Sequence, residues 1–256
     1  MSTQFSDVFS LRGELALITG GGTGIGLAMA RSMQAAGATV VLVGRRESEL
    51  QTAAKSIGQG VGYVVHDITQ FDAAQTLVDR VTKDFGPISI LVNNAGIHLK
   101  KPAVDTSVEE FQKVLSTHIL GAHALTRLIV PGMIERKRGS VLFTASMASL
   151  FGIPLVIAYT AAKSAMGGMV KGYATELSPH GIRVNAIAPG WIETEMSRKA
   201  MDGDPARKAK ILGRTPMAKF GKPEDIGWAA VYLSSPAAAF VTGVMLPVDG
   251  GVSVGF

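Results

Sequence analysis

The chain has 256 residues, 47% of them hydrophobic and 6% aromatic, with a formal charge of +5, which suits one large α/β core better than two small domains. It contains no cysteine, which excludes a disulfide framework, a cysteine-ligated zinc site and a thiol nucleophile and fits a reducing cytoplasm. The basic residues are dispersed in small groups such as Lys100-Lys101, Arg136-Lys137-Arg138 and Arg207-Lys208, predicting a solvated surface and no nucleic-acid partner. The opening MSTQFSDVFS has neither the basic nor the apolar region of a secretory signal. No apolar run reaches the ~18 residues that a membrane span requires.

Short apolar runs rich in β-branched residues alternate with longer segments of helical period. In chain order the pattern predicts strand Glu14–Thr19, helix Gly24–Ala36, strand Thr39–Val43, helix Glu47–Ile57, strand Val61–His66, helix Phe71–Phe85 and strand Ile88–Asn93. It continues with helices Val108–Leu115 and Ala122–Arg136, strand Ser140–Ala145, helix Ala158–Leu177, strand Arg183–Ala188, helix Pro223–Leu233 and strand Thr242–Val248. Near-continuous hydrophobicity within the strands points to a parallel sheet covered on both faces. Gly37, Gly86, Gly139 and Gly181 each follow a helix, where a left-handed cap favours glycine. Trp191–Gly221 is the least regular stretch, and is expected as a mobile segment over a ligand crevice.

The first strand runs into Thr19-Gly20-Gly21-Gly22-Thr23-Gly24-Ile25-Gly26 and then an apolar helix. Gly20, Gly24 and Gly26 give the spacing G-x-x-x-G-x-G. Glycines there allow a tight turn and close backbone approach to a pyrophosphate, at which helix N-terminal amides are aimed. Strand-loop-helix context is what such a motif needs, and the β-α-β order around it predicts a doubly wound, Rossmann-type fold: seven parallel strands with helices on both faces in a single domain, 1–256. An acidic side chain after the second strand would take a ribose 2′-hydroxyl and repel a 2′-phosphate. Here the strand ends in Gly44-Arg45-Arg46, so NADP(H) is expected over NAD(H), with Arg45 as the main contact. Glu47 one turn later, and the absence of a basic residue at Thr23, leave NAD(H) as a second option.

From Leu11 to the C-terminus the chain resembles the short-chain dehydrogenase/reductase family, in its compact single-domain branch. The matching pieces are Thr19–Gly26, Asp67, Asn93-Asn94-Ala95-Gly96, Ser146, Tyr159-Thr160-Ala161-Ala162-Lys163, Pro189-Gly190-Trp191-Ile192-Glu193-Thr194 and Asp249-Gly250-Gly251. The resemblance implies that Asn94, Ala95 and Gly96 line the adenosine and ribose path. It places Asp67 and Ile68 beside the adenine, and Pro189, Ile192 and Thr194 in the segment that holds the nicotinamide carboxamide. It gives Ser146 a bond to the substrate oxygen, with Ser149 a turn residue, and Lys163 the nicotinamide ribose. Two long helices, Ala122–Arg136 and Ala158–Leu177, are implied as the interface of a homotetramer.

Hydride transfer to a carbonyl needs an acid for the developing alkoxide, and the reverse reaction needs a base. Tyr159 and Lys163 stand four apart in a helical segment and share one face. Lowering a phenol pKa by about two units costs about 2.7 kcal/mol, and one ammonium at about 5 Å supplies roughly that at an effective dielectric near ~20. The lysine is therefore expected to depress the tyrosine. His118 stands where the family usually has a relay asparagine. Its imidazole, able to titrate near neutrality, is expected either to hold a water while kept mostly neutral at pH 7 by the Lys163 charge, or to be a buried ring satisfied by backbone groups. The remaining histidines show no ligand spacing, and no metal site is implied.

These features predict an NAD(P)-dependent oxidoreductase acting on CH–OH groups of a small molecule. Ile211–Gly221 resembles relatives acting on sugar acids such as gluconate, and Arg214, Lys219, Lys100 and Lys101 suit an acidic substrate. A 3-oxoacyl thioester reductase and a non-catalytic cofactor-binding regulator are the alternatives. The intact Ser146, Tyr159 and Lys163 weigh against the regulator. An epimerase or dehydratase of the extended form is disfavoured by length.

Overall fold

Alternate residues of each inner strand enter opposite cores. In the computed structural model, which describes residues 5–195, 198 and 205–255, Leu15 and Leu17 face one apolar cluster while Ala16 and Ile18 face the other. This is the two-residue period of a strand. The strands are β1 (Leu15–Thr19), β2 (Thr39–Gly44), β3 (Val61–Val65), β4 (Ile90–Asn93), β5 (Gly139–Thr144), β6 (Ile182–Pro189) and β7 (Met245–Val248). They form one parallel sheet in the order β3-β2-β1-β4-β5-β6-β7.

The helices are α1 (Phe5–Val8), α2 (Gly24–Ala35), α3 (Glu47–Ile57), α4 (Ala74–Phe85), α5 (Val108–Leu115), α6 (Gly121–Glu135), α7 (Ile157–Leu177), α8 (Pro205–Gly213) and α9 (Pro223–Ser234). Leu77, Leu125, Ile129, Met166 and Val170 of α4, α6 and α7 cover one face of the sheet. Met29, Met33, Leu50, Ile226 and Leu233 of α2, α3 and α9 cover the other. Strand order reverses between β1 and β4, which opens a crevice at their carboxyl ends. Among the described residues no helix is long and apolar enough to cross a membrane.

Three expectations change. α5 and α6 are not separate: a π-helical segment, Ser116–Leu120, joins them and carries His118 at its centre. Gly139 has no left-handed conformation, because the turn is made earlier by Lys137 at φ 52°; Gly37, Gly86 and Gly181 do have positive φ. Trp191–Gly221 is more regular than expected, since it contains α8 and is closed by a parallel bridge between Ile192 and Gly221. Its charges and flanking glycines and prolines hid a helix that tertiary packing supports, with Ile211 buried.

Candidate active site

Thr19, which ends β1, organises the floor of the crevice. Its buried hydroxyl donates to Val92 O at 3.2 Å and accepts the backbone N–H groups of Asn94 and Ala95, each at 3.0 Å. Sequence reasoning missed this role, because a strand-end threonine carries no motif of its own. Asn94 completes the brace: its Nδ2 donates to the carbonyls of Thr19 and Gly20, and its Oδ1 accepts from Thr144 Oγ1 at 3.2 Å. The Asn94 amide, expected on the adenosine path, is thus spent on holding the glycine loop to β4 and β5.

The glycine loop fits a pyrophosphate. Gly20 (φ 66°) and Gly24 (φ 54°) are left-handed, and a Cβ on Gly26 would lie 2.2 Å from Gly20 O. Side chains are therefore excluded from the turn by both conformation and space. Thr23 caps α2 without a side-chain hydrogen bond, so its first-turn amides are not satisfied by their own cap and are aimed at any anion seated there. Thr194 approaches from the loop after β6: its Cγ2 lies 3.8 Å from the position of a Cβ on Gly24. Pro189 ends β6 and Ile192 is buried, so the β6 loop and the glycine loop face each other across one crevice, with Ile25 at the start of α2.

On the far side of β1, Arg45 Nη1 lies 3.7 Å from Asp67 Oδ2. Asp67 Oδ1 also accepts from the backbone N–H and hydroxyl of Thr69, at 3.0 and 2.8 Å. Burial raises the Asp67 pKa, but the two Thr69 bonds, Arg45 and His66 together hold it below the ordinary value. Ile68, next along, is buried in the core cluster.

β5 leads into the catalytic candidates. Ser146 is buried and caps a short 3-10 turn, Met147–Ser149, with its Oγ accepting Ala148 N–H at 3.1 Å. Ser149 points away: its hydroxyl donates to Lys163 O at 2.7 Å, a structural bond. Tyr159 and Lys163 share one face of α7, with Lys163 Nζ 5.5 Å from the centre of the phenol ring. Lys163 is 3% exposed and donates to Thr144 O.

The electrostatics reverse one expectation. Burial raises the Tyr159 pKa and outweighs the opposing hydrogen bond with Ser146, while Lys163 is itself lowered to about 7 by burial. Desolvation of both groups exceeds the attraction that spacing alone suggested, because the ammonium is removed from water along with the phenol.

His118 is 2% exposed. Its Nε2 lies 2.8 Å from Ile97 O and 3.1 Å from Ile97 N. The shorter contact makes Nε2 a donor and leaves Nδ1 a buried acceptor with no partner among the described residues. The ring meets Tyr159 edge-on at 5.5 Å, and Gly96 lies beneath it, where a Cβ would come 2.3 Å from His118 Cε1. Burial first, then Lys163, lowers its pKa to about 3 despite the Ile97 bond. It is therefore neutral at pH 7, the state that a neighbouring Lys163 charge favours. His98, singled out by no motif, has its ring centre 5.3 Å from that of Tyr159. No cluster of metal-ligating side chains occurs among the described residues.

A nucleotide cradle at the switch point of a seven-stranded parallel sheet, beside a Ser-Tyr-Lys constellation, is the arrangement of a nicotinamide-dependent oxidoreductase. A family model described as enoyl-(acyl carrier protein) reductase matches residues 20–253, and the chain belongs to the short-chain dehydrogenase/reductase family. It is 37% identical over 251 residues to gluconate 5-dehydrogenase of Gluconobacter oxydans, covering 97% of this chain and 98% of that one. It is 35% identical over 247 residues to 3-oxoacyl-[acyl-carrier-protein] reductase of Thermotoga maritima, covering 95% and 99%. A crystal structure of a gluconate 5-dehydrogenase from Burkholderia cenocepacia, in complex with NADP and tartrate, superposes with a TM-score of 0.94 at 32% identity, covering 99% and 100%.

Proposed function

We propose that this protein is an NADP(H)-preferring oxidoreductase that interconverts a secondary alcohol and a ketone on a sugar acid, working as a cytoplasmic homotetramer. The observation that carries the reaction is the meeting of Ser146, Tyr159 and Lys163 beside a glycine cradle that no side chain can fill. The gluconate 5-dehydrogenases among its relatives support the substrate class.

In this reading Gly20, Thr23, Gly24, Ile25 and Gly26 receive the pyrophosphate. Asp67 and Ile68 border the adenine; Asn94, Ala95 and Gly96 form the ribose wall, with Asn94 acting as its brace. Pro189, Ile192 and Thr194 border the nicotinamide. Arg45 takes the 2′-phosphate. Its exposed pairing with Asp67 at 3.7 Å is weak in water, and a phosphate dianion offers a guanidinium more. When bound, the cofactor supplies or accepts the hydride, and its oxidised ring adds the positive charge that lowers the phenol toward its working range. Ser146 donates to the substrate oxygen; Tyr159 gives that oxygen a proton on reduction and removes one on oxidation. Lys163 holds the ribose hydroxyls and, in its protonated form, sets positive charge beside Tyr159. His118, neutral, holds a relay water from Nδ1.

Steady-state assays of the purified protein with 5-keto-D-gluconate, neutral ketoses and a 3-oxoacyl thioester, each with NADPH and NADH, test this. The sugar acid with NADPH is expected to give the highest kcat/KM. Tyr159→Phe should lower turnover by about 10²–10⁴-fold and leave cofactor affinity nearly intact. Preference for the thioester would replace the substrate assignment. Reduction of none of them would favour the regulator, and residual activity of Tyr159→Phe within tenfold of wild type would remove the catalytic one.

A further inference from the structure

Of the four cations that sequence reading set near the substrate, the structure disposes of three differently from the fourth. Lys101 is engaged by Glu110, with both carboxylate oxygens 3.0 Å from Nζ. Lys100, Lys219 and Arg214 are all exposed, and among the described residues nothing fixes the heads of the two lysines. Arg214 alone is seated: its guanidinium carbon lies 5.5 Å from the centre of the Phe151 ring, within cation–π range.

Both ends of that seat are built. Phe151 follows the 3-10 turn that Ser146 begins, and its N–H donates to Met147 O at 3.2 Å. The ring is thus carried five residues past Ser146, on the chain that leaves the same turn. Arg214 follows α8 immediately, and its N–H is shared between Lys210 O and Ile211 O. The next residue, Thr215, is buried, donates to Ile211 O at 2.9 Å and packs under Gly250; Met217 N–H then donates to Gly250 O. The backbone at Arg214 is thus pinned to the C-terminal turn, while its head rests on a ring carried by the Ser146 turn. Stacking on an aromatic face leaves the edge of a guanidinium, with its paired N–H donors, free for a planar oxyanion. Among the described residues no carboxylate pairs with it.

We infer that Arg214, held over Phe151, is the specificity-determining group that receives the substrate carboxylate. This rests on the sugar-acid reading. An extended six-carbon acid with its carbonyl at C5 places the C1 carboxyl carbon about 5 Å away, and each hydrogen bond to it adds about 3 Å. Arg214 is the one cation of the four whose head rests on a ring carried just past the Ser146 turn. Lys163 does not compete for the carboxylate, because it is buried against Thr144 beneath the phenol.

The test compares a matched pair: 5-keto-D-gluconate and L-sorbose, its counterpart with a hydroxymethyl group in place of the carboxylate. Arg214→Gln is expected to raise KM for the acid about 10- to 100-fold, with kcat and the KM for NADPH and L-sorbose within about twofold of wild type. Arg214→Lys should recover only part of the loss, since it keeps the charge without the planar fork. Phe151→Leu, which removes the ring but not the cation, should raise the acid KM by a smaller factor. An unchanged acid KM in Arg214→Gln, with wild type reducing the acid well, overturns this inference and spares the proposed function. A wild-type enzyme that ignores the acid while reducing the thioester or the neutral ketose overturns both. Equal loss on acid and ketose assigns Arg214 a structural role and overturns the inference.

Discussion

Lys163 shows at the residue scale how position converts an ordinary side chain into a tuned one. Its native pKa of about 7 lies well below the unfolded value of 10.5, and burial is the cause. Between those values the unfolded chain holds a proton that the native protein has released. Stability therefore rises with pH across that window and is lost as pH falls through it, by up to about 1.4 kcal/mol per unit. Lys163→Met should remove this slope: melting temperatures of the cofactor-free proteins, measured from pH 7 to pH 9.5, are expected to climb for wild type relative to the variant. Parallel curves would show that the amine is hydrated in solution. The same sign holds for His118, whose value near 3 makes its burial an acid liability below pH 6.5. Tyr159 and Lys163 were legible as candidates from their spacing, and Ser146 and His118 from the family resemblance, but their electrostatics were not. Spacing reports that a cation is near a phenol; only burial reports that both have lost their water.

At the scale of elements, the glycine loop and α2 work as one unit. Gly26 is the first-turn residue of α2 that lies against the carbonyl of Gly20, and Asn94 Nδ2 would be 2.6 Å from its Cβ. Both neighbours are fixed, one as backbone and the other by its bonds to Thr19 and Gly20, so a methyl group must open the loop. Overpacking of about 1–3 kcal/mol, expressed in the cradle, corresponds to roughly 5- to 150-fold in affinity. Gly26→Ala is accordingly expected to weaken NADPH binding within that range in a fluorescence titration, with the fold retained by circular dichroism. Wild-type affinity would show that the loop is not the cradle. The π-helical join at Ser116–Leu120 belongs to the same scale. No periodicity announced it, because one extra residue in a turn changes neither composition nor pattern, yet it is the element that carries His118 to Ile97 and Tyr159.

For the whole molecule, several surfaces remain unaccounted for by a single chain. Gly168 and Gly172 of α7 face open space, where a Cβ would meet nothing within 4 Å. Phe240, Trp228 and Val254 are exposed. Small residues along a long helix permit close approach of a second helix, and exposed aromatic residues are what subunit contacts bury. Light scattering at micromolar concentration is expected to return four times the 26.8 kDa of one chain. The mass of a single chain would overturn the tetramer.

What the sequence determined by itself was carried by regular short-range pattern. The alternation at Leu15–Thr19 and its partners defined strands, and the strand-glycine-helix run at Thr19–Gly26 defined the cradle. Tyr159 and Lys163, four apart, defined one helix face. These signals are local, because strand pleat and helix pitch fix which neighbours share a side. Tertiary structure alone decided what depends on residues far apart in the chain. It recruited Asn94 and Thr19 to brace the loop, across 75 residues, and buried Lys163 against Thr144. It left one nitrogen of His118 without a partner among the described residues, and it set Arg214 on a ring 63 positions earlier. No window of sequence contains both members of such a pair, and their energies come from excluded water, which exists only once the sheet has brought them together.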